Sequence, residues 1–209
     1  MNRFRVWALL AFALSASSPA SAGEFNAVLD IGDAMPAFTD LPTAGGGTLS
    51  SDDLKAPVVV MVSLANHCPW VRGMDPDLVK LANQFKKDEV QFVGFAVNHR
   101  EDDRLPAMRE HAEKIGYSFP YVFDESQKLG RDLGAARTPE YFVFDKDRKL
   151  VYNGLLYDSP ARINSAGVPQ HIAGDPTEFY VADAIRATLA GEPVKVAETR
   201  AHGCSVKYN

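Results

Sequence analysis

The sequence predicts an α/β domain with a mixed central sheet flanked by helices. The first observation is the apolar, β-branched run at residues 58–65, which is typical of a strand buried on both faces. The second is the order that follows: strand, helix, strand, helix, then a hairpin and a last helix. That order is typical of α/β proteins, and the hairpin adds antiparallel pairing to the sheet.

The first 22 residues have the pattern of a secretory signal peptide. Residues 1–5 carry two arginines and no acid, residues 6–14 are apolar but too short to span a bilayer, and residues 20–22 have the A-x-A form of a cleavage site. A buried N-terminal helix is the alternative. We therefore expect an exported protein, periplasmic in a bacterium, with a domain at residues 23–192 and a C-terminal tail at 193–209.

The charge of the chain argues against two classes of partner. The 27 acidic residues outnumber the 22 basic ones, and the formal net charge is −5. No basic block is present, and no further apolar run approaches the length of a membrane span. Nucleic acid and anionic membrane are therefore poor candidate partners.

The other elements follow from periodicity and turn residues. Gly45–Gly47 indicates a turn, and residues 48–54 indicate a strand end followed by one capped helical turn. Further strands are expected at 90–97, 119–123, 141–145 and 150–152, and helices at 71–87, 105–115, 126–133 and 177–190.

Three of these elements carry more detailed predictions. Pro76 should kink the first helix or restart it at Asp75, a good N-cap before proline. Residues 154–175, rich in Gly, Pro and Asn, should be irregular. The last helix should direct one face inward, formed by Phe179, Val181, Ala182, Ile185 and Leu189.

Cys68 follows the buried strand and precedes the first long helix, with Pro69 next in the chain. At a helix N-terminus, unpaired backbone N–H groups and the helix dipole stabilise a thiolate over a thiol. The adjacent His67 would reinforce this effect, and Trp70 should face a substrate or pack nearby. The prediction is a reactive, partly exposed cysteine; the alternative is an inert cysteine.

Motifs along most of the chain resemble the thioredoxin-like and peroxiredoxin-like redoxin group of the alkyl hydroperoxide reductase/thiol-specific antioxidant superfamily. More closely, the chain resembles the branch with a single Cys-Pro motif and a C-terminal Gly-Cys-Ser ending. The resemblance implies a thioredoxin-like fold with Thr138 and a cis Pro139 beside Cys68. Arg137, one residue before Thr138, could approach the thiolate, and a surface arginine is the alternative. The matching motifs are residues 66–71 (Asn-His-Cys-Pro-Trp-Val), 119–120, 137–140 (Arg-Thr-Pro-Glu), 144–145, 152–154 and 203–207 (Gly-Cys-Ser-Val-Lys).

Two departures from the resembled families bear on the activity. Val71 stands where thioredoxins carry the second cysteine of Cys-x-x-Cys, so the local dithiol is missing. Met61 and Ala65 stand where peroxiredoxins carry Pro and Thr or Ser. Cys68 thus corresponds to the first thioredoxin cysteine, and ordinary peroxiredoxin chemistry is disfavoured.

Cys204 has three alternative roles at this point. It can resolve an oxidised Cys68, it can form a permanent structural disulfide with Cys68, or it can lie away from Cys68 altogether. A soft-metal set formed by both cysteines with His67 and His202 is a weaker alternative, because the spacings match no familiar metal motif. Residues 101–104 are interpreted as a solvated loop and helix cap, and no role is assigned to the other three histidines.

The function expected from these observations is an exported thiol oxidoreductase, with Cys68 as the redox-active thiolate and Cys204 as its resolving cysteine. Such chemistry needs no cofactor. Its partners would be a thiol or disulfide protein, or a peroxide, and an external reductant protein. Thiol-dependent peroxide reduction is the alternative within this class. A non-catalytic or metal-carrying binding module with a structural Cys68–Cys204 disulfide is the alternative from another class.

Overall fold

The computed structural model describes residues 23–87 and 89–209, so the predicted signal peptide lies outside the described residues. The strands are, in chain order, β1 (Leu41–Pro42), β2 (Thr48–Leu49), β3 (Val58–Ser63), β4 (Val90–Ala96), β5 (Tyr121–Phe123), β6 (Arg137–Thr138), β7 (Glu140–Phe144), β8 (Leu150–Gly154), β9 (Ala161–Ile163), β10 (Pro169–His171) and β11 (Cys204–Ser205). The α-helices are α1 (Pro69–Gln84), α2 (Leu105–Ile115), α3 (Lys128–Asp132) and α4 (Tyr180–Ala190). None of these helices combines the length and apolarity needed to cross a membrane.

Five strands form one central sheet in the order β5-β4-β3-β7-β8. β3, β4 and β5 run parallel to one another, β7 is antiparallel to β3, and β8 is antiparallel to β7. The other strands form three two-stranded ladders: β1 with β2, β9 with β10, and β6 with β11. The predicted α/β architecture with a mixed sheet is therefore confirmed.

The alternation of side chains along β3 divides the core into two layers. Val58, Val60 and Val62 pack in one layer with residues of α1, α2 and α4. Val59 and Met61 pack in the other layer, with residues of α3 and of the segments before β3. Every residue of β3 is buried, because both faces of the strand are covered. This explains why the run is apolar apart from Ser63 and does not alternate.

Helix α1 does not restart at Asp75, so one of the two alternatives predicted for Pro76 is wrong. The helix runs from Pro69 to Gln84 with Pro76 inside it. Asp75 is buried and caps no helix. Instead, its carboxylate accepts hydrogen bonds from the Tyr117 hydroxyl at 2.5 Å and from His111 Nε2 at 2.9 Å. These contacts tie α1 to α2 and the loop after it, so tertiary packing offsets the hydrogen bond that proline removes from the helix.

Two predictions for the last third of the chain are also wrong in part. The segment expected to be irregular contains the β9–β10 hairpin, which packs against α1. Helix α4 begins at Tyr180, and its buried face consists of Val181, Ala182, Ala184 and Ile185. Phe179 and Leu189 were expected inward, but both are exposed: Phe179 is the N-cap residue that precedes the helix, and Leu189 lies outside the buried stripe of α4.

The remaining boundaries agree with the sequence prediction to within a few residues. Helix α2 has the predicted bounds and ends at Gly116, whose φ of +81° gives the left-handed C-cap that glycine favours. The strand end and helical turn expected at 48–54 are β2 and a 3₁₀ turn at Ser51–Asp53, which carries a Ser50/Asp53 capping box.

Candidate active site

Cys68 lies at the N-terminus of α1, a few residues beyond the end of β3. It is the N-cap residue, and Pro69 is the first residue of the helix. The Cys68 backbone N–H donates to the Ala65 carbonyl at 3.0 Å, and the Cys68 carbonyl accepts from the Arg72 N–H at 3.1 Å, which starts the helix. The predicted placement is therefore confirmed. The predicted partial exposure is wrong, since Cys68 has 0% exposure.

The Thr138-Pro139 segment packs directly against the Cys68 thiol. The peptide bond between these two residues is cis, as the family resemblance implied. The Thr138 carbonyl oxygen lies 3.1 Å from Cys68 Sγ and accepts a hydrogen bond from it. Among the described residues, the buried Thr138 hydroxyl has no hydrogen-bond partner. One side of the sulfur is thus closed by the turn that leads into β7.

The C-terminal tail covers the other side of Cys68. Strand β11 pairs antiparallel with β6, and this register places Cys204 opposite Thr138 and Ser205 opposite Arg137. The two sulfur atoms lie 2.7 Å apart. This contact excludes the alternative in which Cys204 lies away from Cys68. It also explains why Cys68 is buried.

Burial and its neighbour hold Cys204 in the neutral form. Desolvation raises the pKa of the Cys204 thiol to about 12, and the hydrogen bond and negative charge of Cys68 add to this effect. Asp103 raises this pKa further, while Arg137 opposes the shift. A thiol held in the protonated form is a poor nucleophile, because the thiolate is the form that attacks.

Trp70 and His202 form an aromatic contact beside the two sulfurs. The rings meet edge to face with centroids 4.4 Å apart, and the Arg162 guanidinium lies 5.6 Å from the centroid of the Trp70 ring. Trp70 belongs to α1, Arg162 to β9 and His202 to the tail, so three parts of the chain meet here. The prediction that Trp70 packs close to the site agrees with this arrangement.

Asp103 is a site residue that the sequence interpretation missed, because the cluster at residues 101–104 was interpreted as solvated. Its side chain is fully buried and contacts His67 Nδ1 at 2.6 Å, and it also accepts from the His67 backbone N–H at 3.4 Å. The carboxyl ends of parallel β3 and β4 are adjacent, so the loops that follow them meet. The acidic residues that follow β4 are the sequence signal from which the His67–Asp103 pair could have been predicted.

Arg137 does not contact the Cys68 sulfur. It is exposed, and its guanidinium donates to Ser205 Oγ at 2.6 Å. This hydrogen bond connects Arg137 to the tail. The proposed metal set does not assemble either: within residues 23–87 and 89–209, no three His, Cys, Asp or Glu side chains are grouped as a metal ion requires. Met61 and Ala65 are both buried and apolar, so the hydroxyl that peroxiredoxins carry at this spacing is missing.

Comparison with known proteins agrees with this fold. The family model described as Redoxin matches residues 30–167. An uncharacterized conserved protein from Geobacillus kaustophilus is 33% identical, with a TM-score of 0.77 over 88% of this chain and 95% of that one. A comparison with curated proteins gives no match.

Two further structures are described as redox proteins. One is a thiol:disulfide interchange protein DsbE from Chlorobium tepidum, 25% identical with a TM-score of 0.52 over 60% of this chain and 84% of that one. The other is the thioredoxin domain of a thiol-disulfide oxidoreductase from Bacteroides vulgatus, 23% identical with a TM-score of 0.52 over 61% and 89%. The mixed sheet with flanking helices is thus a thioredoxin-like fold, and the chain belongs to the Redoxin family.

Proposed function

We propose that this protein is an exported thiol–disulfide oxidoreductase in which Cys68 attacks and Cys204 resolves. The observation that carries the proposal is the 2.7 Å approach of Cys204 Sγ to Cys68 Sγ at the N-terminus of α1. The second sulfur missing from the Cys-x-x-Cys position is thereby supplied by the tail. Export rests on the signal-peptide pattern of residues 1–22.

The reaction follows ordinary thiol–disulfide exchange. The Cys68 thiolate attacks one sulfur of a substrate disulfide, the substrate S–S bond breaks, and one substrate thiolate leaves. Cys204 then attacks the Cys68 sulfur of the mixed disulfide and releases the second substrate thiol, while its own proton goes to solvent. The substrate gains two electrons, and the protein is left with a Cys68–Cys204 disulfide. A dithiol reductant protein reverses this oxidation.

Residues around the sulfurs support each step. As N-cap of α1, Cys68 precedes the first-turn amides, which favour negative charge at this end of a helix. The pKa of Cys204 is raised to about 12, so this thiol is protonated at neutral pH while Cys68 attacks. The Asp103 carboxylate fixes the His67 ring beside the start of α1.

Trapping with oxidised glutathione tests this order of attack. The reduced wild-type protein should form the intramolecular disulfide, and Cys204→Ser should accumulate a stable glutathione adduct on Cys68, identified by peptide mass spectrometry. Cys68→Ser should form neither product at a comparable rate. An adduct found mainly on Cys204 of the wild-type protein would refute the assignment.

The same experiment separates the other candidate functions. A permanent structural disulfide would resist reduction by a mild dithiol, whereas a redox-active one should open and close repeatedly. Faster oxidation of Cys68 by hydrogen peroxide than by disulfides would favour peroxide reduction instead.

A further inference from the structure

The C-terminal tail forms a strand against the active site, and the space that this strand fills is termed the groove. The groove is bordered by the main chain of Arg137-Thr138 on one side and by the Trp70 ring on the other. Extended peptides bind to exposed strand edges in this way, with main-chain hydrogen bonds for affinity and side-chain contacts for specificity. We propose that the tail is a displaceable occupant of a groove that receives an extended segment of a partner protein, and that this segment must carry glycine directly before its cysteine. The proposal rests on the thiol exchange proposed above.

The requirement for glycine comes from the close approach of Gly203 to the turn before Pro139. A Cβ atom built on Gly203 would overlap the carbonyl oxygen and carbon of Thr138, which are backbone atoms and cannot rotate away. Gly203 does not have a left-handed φ, so the restriction is steric and does not arise from conformational preference. Any strand that places a cysteine opposite Thr138 in this register meets the same carbonyl.

The residue two positions before the cysteine contacts the Trp70 ring. In the tail this residue is His202, whose ring meets Trp70 edge to face while Arg162 lies near the same ring. A planar side chain in a partner segment would make the same contact with Trp70. Trp70 and Arg162 are therefore specificity-determining residues for this segment.

The tail must leave before a partner can enter. With the tail in place Cys68 has no exposed surface, so it is closed to any outside sulfur. On the far side of Cys204, the chain end is held by several contacts. The Tyr208 hydroxyl donates to the Ala135 carbonyl at 2.7 Å, Arg131 lies over the Tyr208 ring at 4.6 Å, and the Val206 N–H donates to the Ala136 carbonyl at 3.0 Å.

Access to Cys68 is the first test. Gly203→Ala should displace the tail and raise the rate of iodoacetamide alkylation of Cys68 at least about tenfold, since a clash with backbone opposes the docked strand. Gly45→Ala is a matched control, because a Cβ at Gly45 has room in the β1–β2 turn. Tyr208→Ala loosens the same tail without changing any residue next to the sulfurs and should also speed alkylation. Unchanged alkylation in both tail variants, with folding verified by circular dichroism, would overturn the proposal.

Selectivity for glycine is the second test, with peptides as the probe. Full-length protein carrying both Cys204→Ser and Gly203→Ala leaves the groove free. Two peptides activated as thionitrobenzoate disulfides are compared: Ala-His-Gly-Cys-Ser-Val-Lys-Tyr, and the same peptide with alanine in place of glycine. The glycine peptide should form the adduct with Cys68 at least about tenfold faster, because only it fits against Thr138.

The outcomes separate this inference from the proposed function. Equal rates for the two peptides, together with a normal glutathione adduct on Cys68, would overturn the groove alone. Failure of Cys68 to react with glutathione and with both peptides would overturn the groove and the proposed function together.

Discussion

The two cysteines meet at one point but are held there by different means. Cys68 is attached to the main core: it follows β3 and begins α1, and it is fully buried. Cys204 belongs to a two-residue strand in the tail, which pairs with β6. The position of Cys68 is therefore as stable as the domain, whereas the position of Cys204 depends on the contacts that hold the tail, such as those of Lys207 N–H with Asn98 Oδ1 at 3.0 Å and of the Tyr208 hydroxyl with the Ala135 carbonyl at 2.7 Å.

The largest expected effect tests whether the two sulfurs have unequal roles. Cys68→Ser should abolish disulfide reduction, a loss of about three orders of magnitude or more, because the remaining Cys204 thiol, with a pKa raised to about 12, is held in its protonated form. Cys204→Ser should keep the first half of the reaction and lose turnover. Stopped-flow measurement of adduct formation, followed by steady-state turnover with a dithiol, separates the two steps. Equal loss of adduct formation in both variants would contradict the unequal roles proposed for Cys68 and Cys204.

A second prediction uses two Asp–His pairs, of which only one lies at the site. Asp75→Ala leaves Tyr117 and His111 without their buried acceptor, so we expect a loss of about 3 kcal/mol in the free energy of unfolding. Asp103→Ala frees the partly exposed His67, which water can solvate, so the loss should be about 1 kcal/mol.

The effect on the reactivity of Cys68 should be larger for Asp103→Ala than for Asp75→Ala, the reverse of their effects on stability. Asp103→Ala should change the pH profile of adduct formation at Cys68, whereas Asp75→Ala should leave that profile unchanged while the protein is folded. Urea unfolding and pH-dependent trapping measure the two effects. The same pH profile in both variants would show that Asp103 has only a structural role.

A third prediction concerns alkaline pH. The folded protein raises the pKa of Cys204 to about 12, so folding favours the neutral thiol. The stabilisation from the docked thiol is complete below the pKa of an unfolded cysteine, about 8.5, and is lost as the pH rises toward 12. The difference in unfolding free energy between the reduced wild-type protein and Cys204→Ser should therefore change between pH 8 and pH 11, in the direction that weakens the wild type. A difference independent of pH would contradict the burial of this thiol.

The smallest expected effect is at the edge of the tail. Ser205→Ala removes the hydrogen bond from exposed Arg137, and such contacts contribute about 0.5 kcal/mol. The alkylation rate of Cys68 should rise by less than about threefold. A rise as large as that of Tyr208→Ala would show that the Arg137 contact, and not the end of the chain, holds the tail.

Local patterns were enough to predict most of the fold. The β-branched run of β3, the helical period of α2 and the glycine at its end act between residues close in sequence, so the pattern carries the signal. The continuity of α1 through Pro76 could not be predicted in this way. It depends on Asp75 contacting His111 and Tyr117, residues from other parts of the chain.

The candidate site also combines features set by residues close in sequence with features set by residues far apart in the chain. The sequence by itself determined that Cys68 lies between a buried strand and a helix, because that placement needs only neighbours in the chain. Only the tertiary structure decided that Cys204, 136 residues away, contacts it, and that Asp103, 36 residues from His67, is buried. The physical reason is that pairing of β11 with β6, and of β3 with β4, joins segments whose approach no local periodicity encodes.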